Sequence, residues 1–172
     1  MDLASIPELL SPPLPMERQI IYARWFWENN KQISALLFIH IDGASRGNPG
    51  SSGIGIVIVR DSHTVTEYRE FIGTKTNNQA EYLALKKALE VASSLDSEVT
   101  ILSDSELIIN QRLHYYKVRN KQLKELFRQI SSLERRFKAV NYRHVPRELN
   151  KQADLLANQA IDERIKYKNG AT

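Results

Sequence analysis

Three consecutive strand-like segments, followed by alternating helices and strands, constrain the fold of this chain more than any other feature. Residues 35–42, 53–60 and 65–73 have the apolar or alternating patterns of β-strands, and short turns join them. Strands connected so closely form an antiparallel meander. The segments that follow alternate between helical and strand periodicity, which predicts a crossover helix and parallel pairing with the meander.

Two further strands and four helices complete the prediction. The strands are expected at residues 98–103 and 138–144, and the helices at residues 78–94, 104–113, 120–137 and 150–167. The order βββαβααβα is typical of an α/β fold with a mixed five-stranded sheet flanked by helices. We expect one domain of this kind, spanning residues 36–168.

Residues 1–35 form a predicted N-terminal helical extension with a different composition. Prolines are frequent up to residue 15, and an aromatic-rich helix is predicted at about residues 15–30. Its aromatic residues are Tyr22, Trp25, Phe26 and Trp27. Three roles remain open for this helix: packing on the domain, contacting a second copy, or stacking on nucleic-acid bases.

The composition restricts the chemistry available to the chain. It has no cysteine, which excludes disulfides and thiolate metal sites and leaves oxygen and imidazole as ligands. With 42% hydrophobic and 26% charged residues, it has the composition of a soluble globular protein. No segment resembles a secretion signal or a membrane span. We therefore expect a cytoplasmic protein, monomeric and independent of membranes.

Positive charge is concentrated in one part of the chain. Residues 112–151 contain twelve Lys or Arg against three Glu, whereas the remaining residues contain more acids than bases. Such a distribution suits a protein that binds a polyanion on one side and cations on the other. The alternative is a set of solvated helix faces.

Four acids occur at the boundaries of predicted elements. Asp42 ends the first strand before a glycine-rich turn, and Glu81 lies three residues after Asn78, where a capping-box glutamate occurs. Asp104 could cap the second helix, and Asp154 lies in the first turn of the last helix. Each acid has a structural explanation, yet the predicted topology brings all four to one edge of the sheet. Carboxylates gathered there would repel one another unless hard cations such as Mg²⁺ neutralised them.

The segments that contain these acids closely resemble the type 1 ribonuclease H family. They read DGASRGNPG, TNNQAEYLAL, ILSDSELI and HVPRELNKQADLLANQA, and they occur in the order typical of that family. The resemblance implies a ribonuclease H-like fold and endonucleolytic cleavage of the RNA strand in RNA/DNA hybrids. It also implies two-metal-ion catalysis that leaves 5′-phosphate and 3′-hydroxyl ends.

The resemblance assigns roles to individual residues. It makes Asp42, Glu81, Asp104 and Asp154 ligands of two Mg²⁺ ions, for which Mn²⁺ would substitute. It makes His144 a residue that assists proton transfer or product departure, although a strand-end histidine without a function is an equal alternative. Contacts to the sugars and phosphates of the hybrid are implied for Asn48, Thr76, Asn77 and Asn78.

Two departures from the family pattern are visible. Glu106 stands where many members have Gln, and the long basic protrusion of some bacterial members is missing, as in the compact archaeal and short bacterial forms. We predict that basic residues after the second helix replace the protrusion in binding nucleic acid. They are Lys117, Arg119, Lys121 and Lys124, interleaved with Tyr115 and Tyr116.

Two alternatives to a ribonuclease H remain open. One is a non-catalytic nucleic-acid-binding module with the same fold, which retention of all four acids disfavours. The other is a different metal-dependent nuclease of the wider superfamily, and cleavage of double-stranded RNA belongs to this alternative.

Overall fold

The computed structural model describes residues 37–170, apart from the side chains of Lys168 and Asn169, and its elements follow the predicted order. The strands are β1 (Leu37–Gly47), β2 (Gly50–Arg60), β3 (His63–Lys75), β4 (Glu98–Ser103) and β5 (Ala139–His144). The helices are α1 (Asn77–Ala92), α2 (Glu106–Arg112), α3 (Lys121–Glu134) and α4 (Lys151–Gly170), and a 3₁₀ turn at Arg147–Leu149 precedes α4. The predicted N-terminal extension with its aromatic helix lies outside the described residues.

The five strands form one mixed sheet in the order β3-β2-β1-β4-β5. β1 pairs antiparallel with β2, and β2 pairs antiparallel with β3, so the predicted meander is confirmed. β4 pairs parallel with both β1 and β5. β1 is therefore the central strand, and it joins the antiparallel half of the sheet to the parallel half. Among the described helices, none is long and apolar enough to cross a membrane.

Alternation along β2 places different side chains on the two faces of the sheet. Ile54, Ile56 and Ile58 belong to the main core, which they share with α1 and α3. On the opposite face, Val57 packs against α4. This period of two is the pattern of a strand buried on both faces.

Two glycines of β2 allow α4 to lie directly against the sheet. A Cβ atom on Gly55 would lie 2.1 Å from the carbonyl oxygen of Ala153, and one on Gly53 would lie 2.4 Å from that of Ala157. Both distances are far inside van der Waals contact, so any larger residue would push the helix away. The first turn of α4 is therefore held close to the centre of the sheet.

The first strand extends further than the sequence indicated. β1 was expected to end at Asp42, but it continues to Gly47, and its last residues pair with the beginning of β2. The predicted glycine-rich turn is therefore wrong in its extent, since only Asn48 and Pro49 lie between the two strands. Antiparallel pairing satisfies the backbone of the glycine-containing segment and keeps it extended.

The helix caps also differ from those expected. Thr76 caps α1, and Gln79 completes its capping box, so Asn78 and Glu81 are not the capping pair. Ser105, rather than Asp104, caps α2. A capping role therefore explains neither Glu81 nor Asp104.

Candidate active site

Asp42 lies in β1 and Asp104 directly follows the adjacent strand β4, near the point where the pairing of β1 with β4 ends. The last register pair between β1 and β4 is His40 with Leu102, and each acid follows two residues later. On its other side, Asp42 pairs with Gly55 of β2. The expectation that these two acids would lie side by side is therefore consistent with the observed register.

A close backbone contact brings Glu81 to the same edge. Gly43 follows Asp42, and a Cβ atom there would lie only 2.2 Å from both Ala80 C and Glu81 N. The start of α1 can approach β1 only because position 43 has no side chain. Glu81 Oε2 accepts a 2.6 Å hydrogen bond from Ser105 Oγ, which links α1 to the residue after Asp104.

Asn150 connects three parts of the site and was not among the residues predicted from the sequence. Its side chain is 1% exposed, and its Nδ2 donates to Ile41 O at 2.9 Å and to Asp104 Oδ1 at 2.7 Å. Its backbone carbonyl accepts from Asp154 N at 3.1 Å. The side chain of Asn150 thus joins the strand that contains Asp42 to the carboxylate of Asp104, and its backbone joins them to the helix that contains Asp154.

The electrostatics show that the four acids interact. The pKa of Asp42 is raised to about 7, chiefly by burial and also by the charges of Asp104, Asp154 and Glu81, while a hydrogen bond from the Gly43 backbone acts in the opposite direction. The pKa of Glu81 is also raised to about 7, chiefly by burial, which the hydrogen bond from Ser105 opposes and the charge of Asp104 supports. The other three acids are therefore near enough to Asp42 for their charges to raise its pKa, whereas their convergence on a metal and their roles remain predictions.

The donor set has the chemistry of a magnesium site, but its side chains are engaged elsewhere. All four acids offer hard oxygen ligands, and the repulsion among them favours a cation. Within residues 37–170, however, no group of three or more His, Asp or Glu side chains is arranged to hold a metal ion. Glu81 accepts from Asn77 Nδ2 at 3.2 Å as well as from Ser105, and Asp154 accepts from Arg147 Nη2 at 3.1 Å. These carboxylates would have to exchange their present partners to share an ion.

Two histidines lie near this edge of the sheet. His144, the last residue of β5, is exposed, and its Nε2 lies 3.2 Å from the backbone oxygen of Asp104. His40 lies two residues before Asp42, and burial lowers its pKa, an effect that its contact with the Asn150 side chain partly offsets. The position of His144 beside Asp104 is compatible with its predicted role, which stays a prediction.

The residues predicted to contact the hybrid backbone cluster where β1 turns into β2 and α1 begins. Asn48 Oδ1 accepts a 3.1 Å hydrogen bond from Asn77 N, so the turn and the helix start are joined. Thr76 caps the helix, and Asn77 and Asn78 are exposed in its first turn. These four residues share one end of the sheet and leave polar groups accessible there.

The predicted basic stretch comprises the loop between α2 and α3 and the first turn of α3. The backbone N–H groups of Tyr115 and Tyr116 both donate to Asn110 O, which turns the loop back against the end of α2. Tyr116 OH donates to Glu106 Oε1 at 3.5 Å, so the residue that replaces the family's Gln is tied to this loop.

The cations of this loop are available to a ligand. Lys117, Arg119 and Lys121 are exposed and make no ion pair with the described residues. Lys117 and Lys124 line a 390 Å³ pocket with an apolar wall that includes Phe127. Their binding of nucleic acid stays a prediction.

Comparison with known proteins shows to which family the chain belongs. A family profile described as reverse transcriptase-like matches residues 40–160. The bifunctional protein Rv2228c of Mycobacterium tuberculosis is 41% identical over 127 residues, which cover 72% of this chain and 35% of that protein. The chain thus spans about a third of the length of this relative.

Two solved structures match over nearly their whole length. The RNase H1 of the halophilic archaeon Halobacterium salinarum NRC-1 has a TM-score of 0.72 and 38% identity, covering 74% of this chain and 98% of that one. LC11-RNase H1, solved in complex with an RNA/DNA hybrid, has a TM-score of 0.72 and 42% identity, covering 75% and 99%. With the profile covering more than half of its residues, the chain belongs to the type 1 ribonuclease H family, in its compact form without the basic protrusion.

Proposed function

We propose that this chain is an endonuclease that hydrolyses the RNA strand of RNA/DNA hybrids with the help of divalent metal ions. The observation that supports it most strongly is the environment of Asp42, a half-buried carboxylate whose pKa is raised by burial and by three other acids. Such a cluster is unfavourable for folding, and it is explained if its charge serves to attract cations.

Asp42, Glu81, Asp104 and Asp154 would hold two Mg²⁺ ions, with Mn²⁺ as a substitute. When bound, these ions would generate the attacking hydroxide from water and stabilise the charge on the leaving oxygen. Asn150 holds Asp104 in place through its amide and leaves the second carboxylate oxygen of Asp104 for other partners. The expected products have 5′-phosphate and 3′-hydroxyl ends.

His144 is proposed to transfer a proton or to assist product departure. It is exposed at the end of β5, where its ring nitrogen reaches the backbone of Asp104.

The hybrid is the proposed substrate because a close structural neighbour was solved with one bound. Asn48, Thr76, Asn77 and Asn78 would contact the sugars and phosphates of its backbone at the start of α1. Contacts of this kind distinguish RNA from DNA through the 2′-hydroxyl and read little base sequence. We therefore expect cleavage with weak sequence preference.

The first prediction concerns Asp42 and cleavage. Asp42→Asn removes the central charge while keeping the shape of the side chain, so cleavage of a labelled RNA/DNA hybrid in Mg²⁺ should fall at least about a hundredfold. Asp61→Asn is the matched control, because Asp61 lies in the β2–β3 turn, where a positive φ of 50° also suits asparagine. Double-stranded RNA and double-stranded DNA are tested in parallel. Equal rates for Asp42→Asn and the parent would contradict the proposed site, and preferred cleavage of double-stranded RNA would favour the alternative nuclease.

The second prediction concerns stability and pH in the absence of metal. Asp42 and Glu81 have folded-state pKa values of about 7, above the ordinary value of about 4 in an unfolded chain. The folded protein therefore binds more protons than the unfolded chain between these values, and the stability contributed by these two groups falls as pH rises through this window. In EDTA at pH 8, Asp42→Asn should melt about 5 °C above the parent, and this difference should shrink towards pH 5.

Differential scanning fluorimetry at both pH values measures this effect, with Asp61→Asn again as the control. Mg²⁺ should raise the melting temperature of the parent at pH 8 and have little effect on Asp42→Asn. A variant that is no more stable than the parent in EDTA at pH 8 would show that repulsion at Asp42 is not significant.

The third prediction concerns the basic loop. Lys117→Ala combined with Arg119→Ala should weaken hybrid binding and reduce the slope of log K against log salt concentration by about two, because two phosphate contacts are lost. The matched control is Arg136→Ala with Lys138→Ala, which removes the same charge before the first residue of β5, at the opposite end of the parallel strands. Fluorescence anisotropy in EDTA gives the slope without cleavage. An unchanged slope would remove the loop from the interface.

A further inference from the structure

One of the four acids is paired with a cation that belongs to the protein itself. Arg147 Nη2 donates to Asp154 Oδ1 at 3.1 Å. The partners described above for Glu81 and Asp104 are neutral amides and a hydroxyl, whereas the partner of Asp154 has a full positive charge. The pair therefore differs in kind from the other contacts within the site.

The backbone around this pair is held by hydrogen bonds, while the arginine side chain is exposed. Arg147 begins the 3₁₀ turn, and its carbonyl accepts from Asn150 N at 3.0 Å. Asp154 N in turn donates to Asn150 O, and the Asn150 side chain is anchored in the core. The Arg147 side chain itself is 74% exposed. It can leave Asp154 by rotation into water, without any change in the backbone.

We propose that Arg147 is a resident counter-cation of the metal site. It pairs with Asp154 in the metal-free protein, it is displaced when a divalent ion binds, and it thereby sets the metal concentration at which the site fills. This inference rests on the proposed function, because it concerns the ions that the four acids are proposed to hold.

Competition between the arginine and a metal ion follows from the shared carboxylate. Mg²⁺ binds its ligand oxygens at about 2.1 Å. An ion bound to Asp154 Oδ1 would therefore occupy the lone pair that accepts the hydrogen bond from Arg147. An ion on the other oxygen of Asp154 would still lie within about 5 Å of the guanidinium, at which distance like charges repel. In either case, the ion and the Arg147–Asp154 pair oppose each other.

The exposure of the pair keeps this competition modest. An exposed ion pair contributes little free energy, so the metal can displace the arginine at a small cost. One guanidinium also balances only one of the four carboxylate charges, which leaves the site attractive to a divalent ion. Arg147 thus partly neutralises the repulsion in the metal-free protein and remains displaceable.

The experiment measures Mn²⁺ and Mg²⁺ binding to the full metal-free chain by isothermal titration calorimetry, without nucleic acid. Arg147→Gln removes the charge but keeps a hydrogen-bond donor, and it should tighten metal binding roughly two- to fivefold. Arg147→Lys keeps the charge and should bind metal more nearly like the parent. Lys151→Gln is the matched control, because Lys151 is an exposed cation in the first turn of α4 without an ion pair among the described residues.

Each possible outcome is informative. Tighter binding in Arg147→Gln, with little change in Lys151→Gln, supports the inference. Unchanged or weaker binding in Arg147→Gln overturns it, as does equal tightening in both variants, which would indicate only a general effect of surface charge. Asp42→Asn separates this result from the proposed function: if that variant loses metal binding while Arg147→Gln matches the parent, only the role of Arg147 fails. If the parent itself binds neither ion, both proposals fail.

Discussion

Mutual repulsion among four carboxylates is the constraint on which the rest of this site depends. Asp42 lies in β1, Glu81 in α1 and Asp154 in α4, and Asp104 directly follows β4. Carboxylate charges brought close together repel one another, and at Asp42 this repulsion adds to the effect of burial. The fold holds them together with contacts made elsewhere. Gly43 and Gly55 let α1 and α4 approach the sheet at backbone distance, and the apolar core on both faces supplies the free energy.

The unfavourable charge is relieved locally by polar neighbours. Ser105 and Asn77 donate to Glu81, Asn150 donates to Asp104, and Arg147 pairs with Asp154. Asp42 remains the least compensated acid, which is consistent with its raised pKa. A divalent ion would take over the function of these neighbours. In the metal-free protein, these polar neighbours therefore stabilise the carboxylates in place of the proposed metal ions, through contacts that an ion could displace.

The element order and the positions of the four acids could be predicted because they depend on local patterns. Strand and helix periodicity indicated the order of the elements along the chain, and each acid stands at a fixed offset from an element boundary. The predicted helix caps were wrong. Several neighbouring polar residues at each helix start can act as a cap, and only the backbone geometry selects Thr76 and Ser105. Asn150 was missed because its contact to Ile41 joins residues 109 positions apart, and no local pattern marks it.

For the α2–α3 loop, the charged residues could be predicted from the sequence, but the conformation could not. The cations of the α2–α3 loop were visible in the sequence, whereas its fold depends on backbone hydrogen bonds to Asn110 and on the contact between Tyr116 and Glu106. The extent of β1 likewise depends on pairing with β2, since glycines alone favour a turn. Tertiary contacts decided each of these features.

Crystals of the protein grown with Mn²⁺ and measured at the manganese absorption edge test the central claim most directly. Anomalous difference peaks should lie beside the Asp42 carboxylate, with Glu81, Asp104 and Asp154 as further ligands and with Arg147 displaced from Asp154. Peaks bound to other residues, in crystals of a protein that still cleaves hybrids, would contradict the account.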